Sequence, residues 1–316
     1  MRGIGKREAV ELLELEGPAV LELLARANRV RHERRGDVVA LCSIVNARSG
    51  NCGEDCAFCA QSGRARTRID RYPLLPAERI VAAARVAARH GAACFSIVTS
   101  GRRPGRRELA GVARAVERIA HELPVRPSAS LGLLDVADLR ALRDAGLRCY
   151  HHNLETAESH FARICSTRRW SDGLRPIEAA RRVGLSTCCG GILGLGESRA
   201  QRVELLAALR DLGVDSVPLN FLHAIPGTRL EREPPLPPLE ALKAVAVARL
   251  MLPDRELRVC GGRGHVLRDL QSWIFAAGAD GVMVGGYLTT AGRPVAVDLR
   301  MIRDAGLRPP ARARGR

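Results

Sequence analysis

The sequence predicts an α/β fold, namely a (βα)8 barrel of the TIM type with an extra N-terminal helix. One phrase recurs along the chain: a helical stretch rich in Ala, Arg and Leu, then a glycine, then a short apolar strand. Glycine suits the left-handed position just past a helix end, and apolar or β-branched residues follow where a buried strand begins. Alternating helices and strands indicate a parallel sheet, and a closed barrel of about 250 residues accommodates the repeated units. A doubly wound open sheet is the alternative, because periodicity alone does not establish closure.

The predicted elements follow in order along the chain. A helix is expected at about residues 6–27, outside the barrel and within an N-terminal extension of residues 1–35. The barrel is predicted to span residues 36–308, and the basic, proline-containing residues 309–316 are expected to be a disordered tail. Each barrel strand is predicted within one of these stretches: VVALCSIVN, AARHGAACFSIVTS, VRPSASLG, RDAGLRCYHHNLE, RRVGLSTCCGGILG, RDLGVDSVPLNF, LRVCGG and FAAGADGVMVGG.

Composition argues against a nucleic-acid or membrane partner. The net charge of +16 would suit phosphate binding, but the arginines are scattered over nearly every predicted helix, and Lys6 and Lys243 are the only lysines. Aromatic residues make up 3% of the chain, so platforms for base stacking are scarce. The sequence has no long uncharged apolar run, and its first residues include acids where a signal peptide would be apolar. We therefore expect a cytoplasmic protein.

Three cysteines crowd the loop that follows the first predicted strand, in the stretch CGEDCAFC. The cytosol keeps thiols reduced, so Cys52, Cys56 and Cys59 indicate a metal site rather than disulfides. A structural zinc ion takes four protein ligands, whereas a [4Fe-4S] cluster held by three cysteines has one iron free to bind a small molecule. The loop also lies where barrel enzymes place their chemistry, at the carboxyl end of a strand. A basic nucleic-acid-binding protein with zinc at this loop is the alternative class.

The spacing C-x3-C-x-aromatic-C resembles the signature of the radical S-adenosylmethionine enzymes. The resemblance implies that Cys52, Cys56 and Cys59 hold a [4Fe-4S] cluster whose free iron is chelated by S-adenosylmethionine. Reduction would then cleave the sulfonium to give a 5'-deoxyadenosyl radical. Phe58 is expected to lie against the adenine region.

A wider resemblance, from about residue 38 to residue 308, is to the biotin synthase family. That family is a group of sulfurtransferases that insert sulfur into dethiobiotin, so the resemblance implies a radical that attacks unactivated C–H bonds and an auxiliary iron–sulfur cluster that donates sulfur. It also implies a homodimer and an electron donor such as flavodoxin or ferredoxin. Hydrogenase-maturation and methylornithine-forming radical enzymes are the alternatives within the same barrel group. The stretches that carry the resemblance are NARSGNCGEDCAFCAQS, YHHNLET, CCGGILGLGE, SVPLNFLHAIPGT, AVARLMLP and GVMVGGYLTT.

Further site residues are implied by the same resemblance. His151, Asn153 and Glu155 would share one face of a strand, because side chains alternate with a period of two. His151 and Glu155 replace the Asn and Asp of the common pattern, which could retune the substrate pocket. The expected contacts to S-adenosylmethionine are Phe58, Asn153, Glu155, Gly190, Gly191, Ile192 and Glu197, and those to substrate are His151, Asn153 and Asn220.

The auxiliary site departs from the common pattern. Many biotin synthases hold a [2Fe-2S] cluster with three cysteines and an arginine, and the aligned positions here are Ser96, Ser128, Cys188 and Arg258. Serine is a poor replacement for a soft thiolate at iron, so two ligands are missing from the usual form.

Other thiols lie close to these positions in the sequence. Cys260 lies two residues after Arg258 and Cys94 two residues before Ser96, so each is expected to point inward with its neighbour. We hypothesise a remodelled auxiliary cluster, either [2Fe-2S] or a four-iron variant, that uses Cys188 and Cys260 with Cys94 or Cys189. The alternative is that these cysteines only fill core space.

Overall fold

The computed structural model describes residues 3–310, whose strands form a closed parallel barrel. In order, the strands are β1 Ala40–Arg48, β2 Cys94–Thr99, β3 Arg126–Ser130, β4 Cys149–His151, β5 Ser186–Cys188, β6 Gly191–Leu193, β7 Ser216–Phe221, β8 Glu256–Val259 and β9 Gly281–Met283. The pairing order is β5-β4-β3-β2-β1-β9-β8-β7-β6, with β5 also paired to β7. Strands β5 and β6 therefore occupy one place in the wall, between β4 and β7, and the barrel has eight positions.

The predicted barrel is confirmed, and the open doubly wound alternative is wrong. Every stretch that was predicted to contain a strand does contain one. Closure follows from the pairing of β5 with β7 across Cys188 and Ser216, which an open sheet would lack. Because all strands run parallel, their carboxyl ends meet at one rim.

Helices cover the outside of the barrel. In order they are α1 Lys6–Leu13, α2 Pro18–Arg35, α3 Ala77–Arg89, α4 Arg106–Glu122, α5 Val136–Asp144, α6 Glu158–Ile164, α7 Leu174–Arg182, α8 Arg199–Leu212, α9 Pro238–Met251, α10 Arg263–Leu267, α11 Trp273–Ala276 and α12 Val295–Asp304. Their apolar faces form two large clusters with the outward-facing strand residues. Within residues 3–310, no helix is long and apolar enough to cross a bilayer.

The N-terminal extension contains two helices where one was predicted. Gly17 breaks the predicted helix with a positive φ of 58°, and Pro18 then begins α2, a position where proline's fixed φ is already helical. Lys243 of α9 donates hydrogen bonds to the carbonyl oxygens of Leu13 and Leu15, at 2.8 and 3.0 Å. The division between residues 1–35 and the barrel stays a prediction. Most of the predicted basic tail, residues 311–316, lies outside the described residues.

A buried ion pair fastens α9 to the start of β9. Arg249 is 0% exposed, and it donates to Asp280, which is 2% exposed, over 2.7 Å. Asp280 also accepts from the backbone N–H of Leu257 at 2.7 Å and contacts Arg35 at 3.0 Å. The carboxylate thus links α2, α9 and β8 at the amino-terminal end of the barrel.

Replacing Asp280 by alanine should lower the free energy of unfolding by about 3–5 kcal/mol, because the Arg249 charge stays buried without its partner. Urea unfolding followed by circular dichroism measures this loss. Asp304→Ala is the matched control, since Asp304 is exposed at the end of α12, and its effect should stay within about 0.5 kcal/mol. Equal stabilities of the two variants would show that the buried pair contributes nothing specific.

Candidate active site

A cavity of about 400 Å³ opens inside the barrel toward the carboxyl ends of the strands. Its wall includes residues that lie within strands, such as Cys94 and Cys188, and residues just past strand ends, such as His152 and Gly261. The sequence predicted chemistry at this rim, and the structure has a cavity there.

The three-cysteine loop follows β1 and is held at the rim by its own backbone. The backbone N–H of Cys52 donates to the carbonyl oxygen of Gln61 at 3.0 Å, and the backbone N–H of Cys59 donates to the carbonyl oxygen of Cys56 at 3.0 Å. Burial raises the pKa of the Cys59 thiol to about 11, and Cys59 and Phe58 both line the cavity. In the described part of the chain, no three His, Cys, Asp or Glu side chains converge around a single metal ion. Each thiolate of a four-iron cube binds a separate iron, and such a cluster needs wider spacing than one ion.

A second segment braces this loop from the end of α6. The Asp55 carboxylate accepts from the backbone N–H of Ser166 at 2.9 Å and from its hydroxyl at 2.5 Å. Burial opposes ionisation of Asp55, but these hydrogen bonds outweigh it and hold its pKa well below the usual value. Ala57 donates to the carbonyl oxygen of Ile164 at 2.8 Å, which places Cys165 beside the loop. Sequence analysis did not single out Cys165, because it lies more than a hundred residues from the triplet.

Apolar residues flank the loop on the cavity side. Phe58 and Ile192 pack against a buried cluster of Ile164, Leu195 and Leu222. Both Phe58 and Ile192 also line the cavity. Phe58, which is expected against adenine, and Ile192, a further expected contact of S-adenosylmethionine, therefore lie on one apolar surface.

His151, Asn153 and Glu155 all line the cavity, but not because they alternate along one strand. Strand β4 ends at His151, and the chain then turns, with Glu155 at a positive φ of 69°. The turn is held by a hydrogen bond between Asn153 Nδ2 and Glu155 Oε2 at 3.3 Å. His152, which strict alternation would turn away, also lines the cavity. The prediction that these three residues share one face of a strand was wrong, because the strand ends at His151. Their side chains nevertheless line the same cavity.

Gly190 and Gly191 are needed for close contacts within the protein. A Cβ on Gly190 would lie 1.9 Å from the carbonyl oxygen of Pro218, and one on Gly191 would lie 2.6 Å from that of Glu155. These glycines let the interrupted β5–β6 strand pass tightly between its neighbours. Neither lines the cavity, so any contact with a cofactor stays a prediction.

Asn220 and Glu197 differ in their availability to a ligand. Asn220 lines the cavity and donates to the carbonyl oxygen of Gly191 at 3.2 Å. The buried Glu197 carboxylate accepts from the backbone N–H of Gly194 at 2.9 Å and pairs with Arg202 at 2.7 Å. Its side chain holds the loop after β6 and does not line the cavity.

The predicted auxiliary-site residues converge in the barrel, with one exception. Those that line the cavity are Cys94, Ser96, Ser128, Cys188, Arg258 and Cys260. The inward orientation predicted for Cys94 and Cys260 is confirmed, since both lie in one buried cluster with Cys42. Cys189 is 0% exposed and packs in the outer hydrophobic cluster, on the opposite side of the strand from Cys188. The structure does not bring Cys189 to the cavity.

Two further thiols were missed by sequence analysis, Cys42 on β1 and Cys149 on β4. A hydrogen bond from Cys149 lowers the pKa of Cys188 well below its usual value despite burial. His151, whose Nδ1 lies 3.3 Å from the Cys188 Sγ, acts in the same direction. A hydrogen bond from Cys260 likewise lowers the pKa of Cys42. The period-of-two rule would have found Cys149, two residues before His151.

Comparison with known proteins decides the family. A model of the radical SAM superfamily matches residues 47–209, and a model of the biotin and thiamin synthesis associated domain matches residues 218–308. A biotin synthase from Geobacter sulfurreducens is 52% identical over 96% of this chain and 93% of its own length. A biotin synthase from Citrifermentans bemidjiense is 50% identical with the same coverage of both chains. The chain belongs to the biotin synthase family.

Solved structures of more distant enzymes share the fold. Methylornithine synthase matches with a TM-score of 0.86 at 21% identity, over 98% of this chain and 95% of its own. A maturase of the [FeFe]-hydrogenase matches with a TM-score of 0.82 at 16% identity, over 97% of this chain and 72% of its own. These are the two enzyme types that the sequence left as alternatives. At such identities the likeness shows a common barrel.

Membership of the biotin synthase family implies three cofactors: S-adenosylmethionine, a [4Fe-4S] cluster and an auxiliary iron–sulfur cluster. The side chains around the cavity fit such groups. Ser96 Oγ, Thr99 Oγ1 and His152 Nε2 are buried without a hydrogen-bond partner among residues 3–310, and all three residues line the cavity. Buried polar atoms are normally paired, so these atoms call for a ligand. The lowered pKa of Cys188 favours the thiolate that iron binds.

Proposed function

We propose that this protein is a biotin synthase that inserts sulfur into dethiobiotin at the cavity inside the barrel. The observation that carries the proposal is that two separate groups of thiols meet one cavity. Cys59 of the rim loop lines it, and so do Cys42, Cys94 and Cys188 of the strands and Cys260, which lies just after β8. A substrate held between them would be within reach of both groups.

At the rim, Cys52, Cys56 and Cys59 would hold the [4Fe-4S] cluster, and Phe58 and Ile192 would cover the adenine of S-adenosylmethionine. When bound, these groups supply the hydrogen-abstracting radical and the auxiliary cluster supplies the sulfur. The protein's part is to orient dethiobiotin and keep water away from the reacting carbons. Asn153 and Glu155 are proposed to contact the nucleoside.

Within the barrel, the proposed auxiliary ligands are Cys188 and Cys260, as the sequence suggested. Cys94 is favoured over Cys189 as a further ligand because it alone of the two lines the cavity. Cys42 joins this proposed set, since it lies in one buried cluster with Cys94 and Cys260 and also lines the cavity. Four inward thiols match the one-thiolate-per-iron demand of a four-iron cluster better than the usual three cysteines and arginine.

Substrate and partners complete the proposal. Dethiobiotin is proposed to lie against His151, Asn153 and Asn220, which line the same cavity as the thiols. Flavodoxin or ferredoxin is the proposed electron donor, and a homodimer in the cytoplasm is the proposed form of the enzyme.

Anaerobic reconstitution followed by incubation with S-adenosylmethionine, a reductant and dethiobiotin tests this function. Mass spectrometry should detect both 5'-deoxyadenosine and biotin. Deoxyadenosine without biotin would keep the radical chemistry but contradict the proposed substrate, and His151 and Glu155 would then be the first residues to exchange. Neither product would contradict the proposal as a whole.

A further inference from the structure

A basic segment directly follows the three-cysteine loop along the chain. Residues 64–71 contain one acid, Asp70, and four arginines, which we call the rim arginines: Arg64, Arg66, Arg68 and Arg71. All five of these residues are exposed. Arg64 Nη1 lies 3.8 Å from Asp55 Oδ2, and the other three rim arginines form no ion pair among residues 3–310. Their charge is therefore available to a partner.

Arg64 and Arg71 are placed close to the start of the loop by backbone and packing contacts. The backbone N–H of Gly63 donates to the carbonyl oxygen of Cys52 at 2.7 Å, so the next residue, Arg64, lies beside the loop. The side-chain stem of Arg71 packs over Gly50, where an added Cβ would lie 2.6 Å from the Arg71 Cγ. The two arginines thus flank residues 50–52.

Arg66 and Arg68 point outward because the residue between them points inward. Thr67 is buried, and its hydroxyl donates to the carbonyl oxygen of Ala60 at 2.6 Å. Side chains alternate between two sides of an extended segment, so Arg66 and Arg68 share the outer side. The backbone N–H of Arg66 donates to the carbonyl oxygen of Gly227 at 2.9 Å, which fixes this segment to the loop after β7.

The acids of the neighbouring loop are turned inward and hydrogen-bonded. Glu54 is 7% exposed and Asp55 is 9% exposed. The Thr167 hydroxyl donates to the Glu54 carboxylate, and the backbone N–H of Ser166 donates to the Asp55 carboxylate at 2.9 Å. Asp70 is the one acid among residues 64–71, against four arginines. This side of the rim is therefore a positively charged surface, which attracts acidic partners.

We propose that the rim arginines are the docking surface for an acidic one-electron carrier protein that reduces the rim cluster. The inference rests on the proposed role of Cys52, Cys56 and Cys59 as cluster ligands. One electron passes from the reduced carrier to the cluster. The carrier is oxidised by one electron and the cluster is reduced by one, and no bond is made or broken.

The place of the arginines suits this task. Electron transfer slows steeply with distance, so the carrier must come close to the three-cysteine loop. A protein is too large to enter a cavity of about 400 Å³, and it must therefore approach the loop from outside. Asn51 and Gly53 are exposed on either side of Cys52, and the rim arginines lie next to them. Complementary charge would both speed the encounter and orient the carrier.

The test measures how flavodoxin binds and reduces the reconstituted holoenzyme. The rim variant is Arg66→Glu with Arg68→Glu, since neither side chain forms a hydrogen bond or ion pair among residues 3–310. Calorimetric titration with oxidised flavodoxin gives the affinity, and stopped-flow absorbance gives the rate constant for oxidation of reduced flavodoxin by the cluster. We expect weaker binding and a rate constant lower by about tenfold or more at low salt. Both differences should shrink as the salt concentration rises.

Two controls separate docking from general damage. The control variant, Arg148→Glu with Arg182→Glu, makes the same change in charge on exposed arginines just before β4 and at the end of α7, near the opposite end of the barrel. It should bind flavodoxin and accept electrons as the unaltered protein does. Excess dithionite is a small reductant that needs no docking surface, and with it both variants should form 5'-deoxyadenosine as the unaltered protein does.

Several results would overturn the inference. These are equal affinities and rate constants in the rim variant and the unaltered protein, an equal loss in the control variant, and failure of both reduced flavodoxin and reduced ferredoxin to reduce the unaltered protein. Absence of deoxyadenosine from the unaltered protein with dithionite would overturn the triplet assignment and this inference together. Deoxyadenosine without biotin would count against the substrate alone, and the flavodoxin measurements would still decide the docking surface.

Discussion

Replacing Cys56 by alanine is expected to abolish 5'-deoxyadenosine formation, with a loss of about 10³-fold or more. In the proposed site, three thiolates are the whole protein ligand set of the rim cluster, so the loss of one removes a member of a group that acts as a unit. Without the cluster there is no site for S-adenosylmethionine and no radical. Anaerobic reconstitution followed by chromatographic measurement of 5'-deoxyadenosine checks the result.

The matched control for this experiment is Cys189→Ala. Cys189 is as buried as any cysteine in the described chain but packs in the outer hydrophobic cluster. Its replacement should leave deoxyadenosine formation near that of the unaltered protein. Similar losses in both variants would mean that any cysteine exchange damages the protein, and the special role of the triplet would be contradicted.

The second large effect is expected from the double variant Cys188→Ala and Cys260→Ala. These thiols lie on β5 and just after β8, and both face the cavity. Their loss should remove the iron in excess of one four-iron cluster and abolish biotin formation. Deoxyadenosine formation should continue, because the rim triplet is intact. Iron analysis and product measurement on the same samples separate the two clusters.

The single variant Cys94→Ala tests whether Cys94 or Cys42 is a further ligand of the auxiliary cluster. It should lower the iron content if Cys94 is a ligand and leave it unchanged if Cys42 alone completes the set with Cys188 and Cys260. Unchanged iron content in the double variant would contradict the hypothesis of a remodelled auxiliary cluster. The thiols that line the cavity would then be packing residues only.

The barrel strands could be predicted because each of them has a signal in its own local sequence. A glycine ends the preceding helix and an apolar run follows, so the strands near Cys94, Ser128 and Arg258 lie where the sequence placed them. Closure was not local, since it depends on β5 meeting β7 across residues 188 and 216. The break at Gly17 and Pro18 was visible in the sequence but was outweighed by the apolar helical pattern on either side.

The site was predictable to different depths. The spacing of the triplet is a local pattern, and the period of two turned Cys94 and Cys260 inward as expected. The position of Cys165 beside the rim loop could not be predicted, because it depends on how the end of α6 packs against that loop. The turn at Glu155 was missed because a positive φ in a residue other than glycine has no clear sequence signal.

The most direct test of the account is to follow the sulfur atom. The protein would be reconstituted with iron and sulfur-34 sulfide, freed of unbound sulfide, and incubated with dethiobiotin, S-adenosylmethionine and reductant. If the thiols inside the barrel hold the sulfur donor, the first biotin formed should carry the heavy isotope, and the Cys188→Ala and Cys260→Ala variant should form none. Biotin of ordinary sulfur mass from the labelled protein would contradict the claim that the auxiliary cluster in this cavity supplies the sulfur.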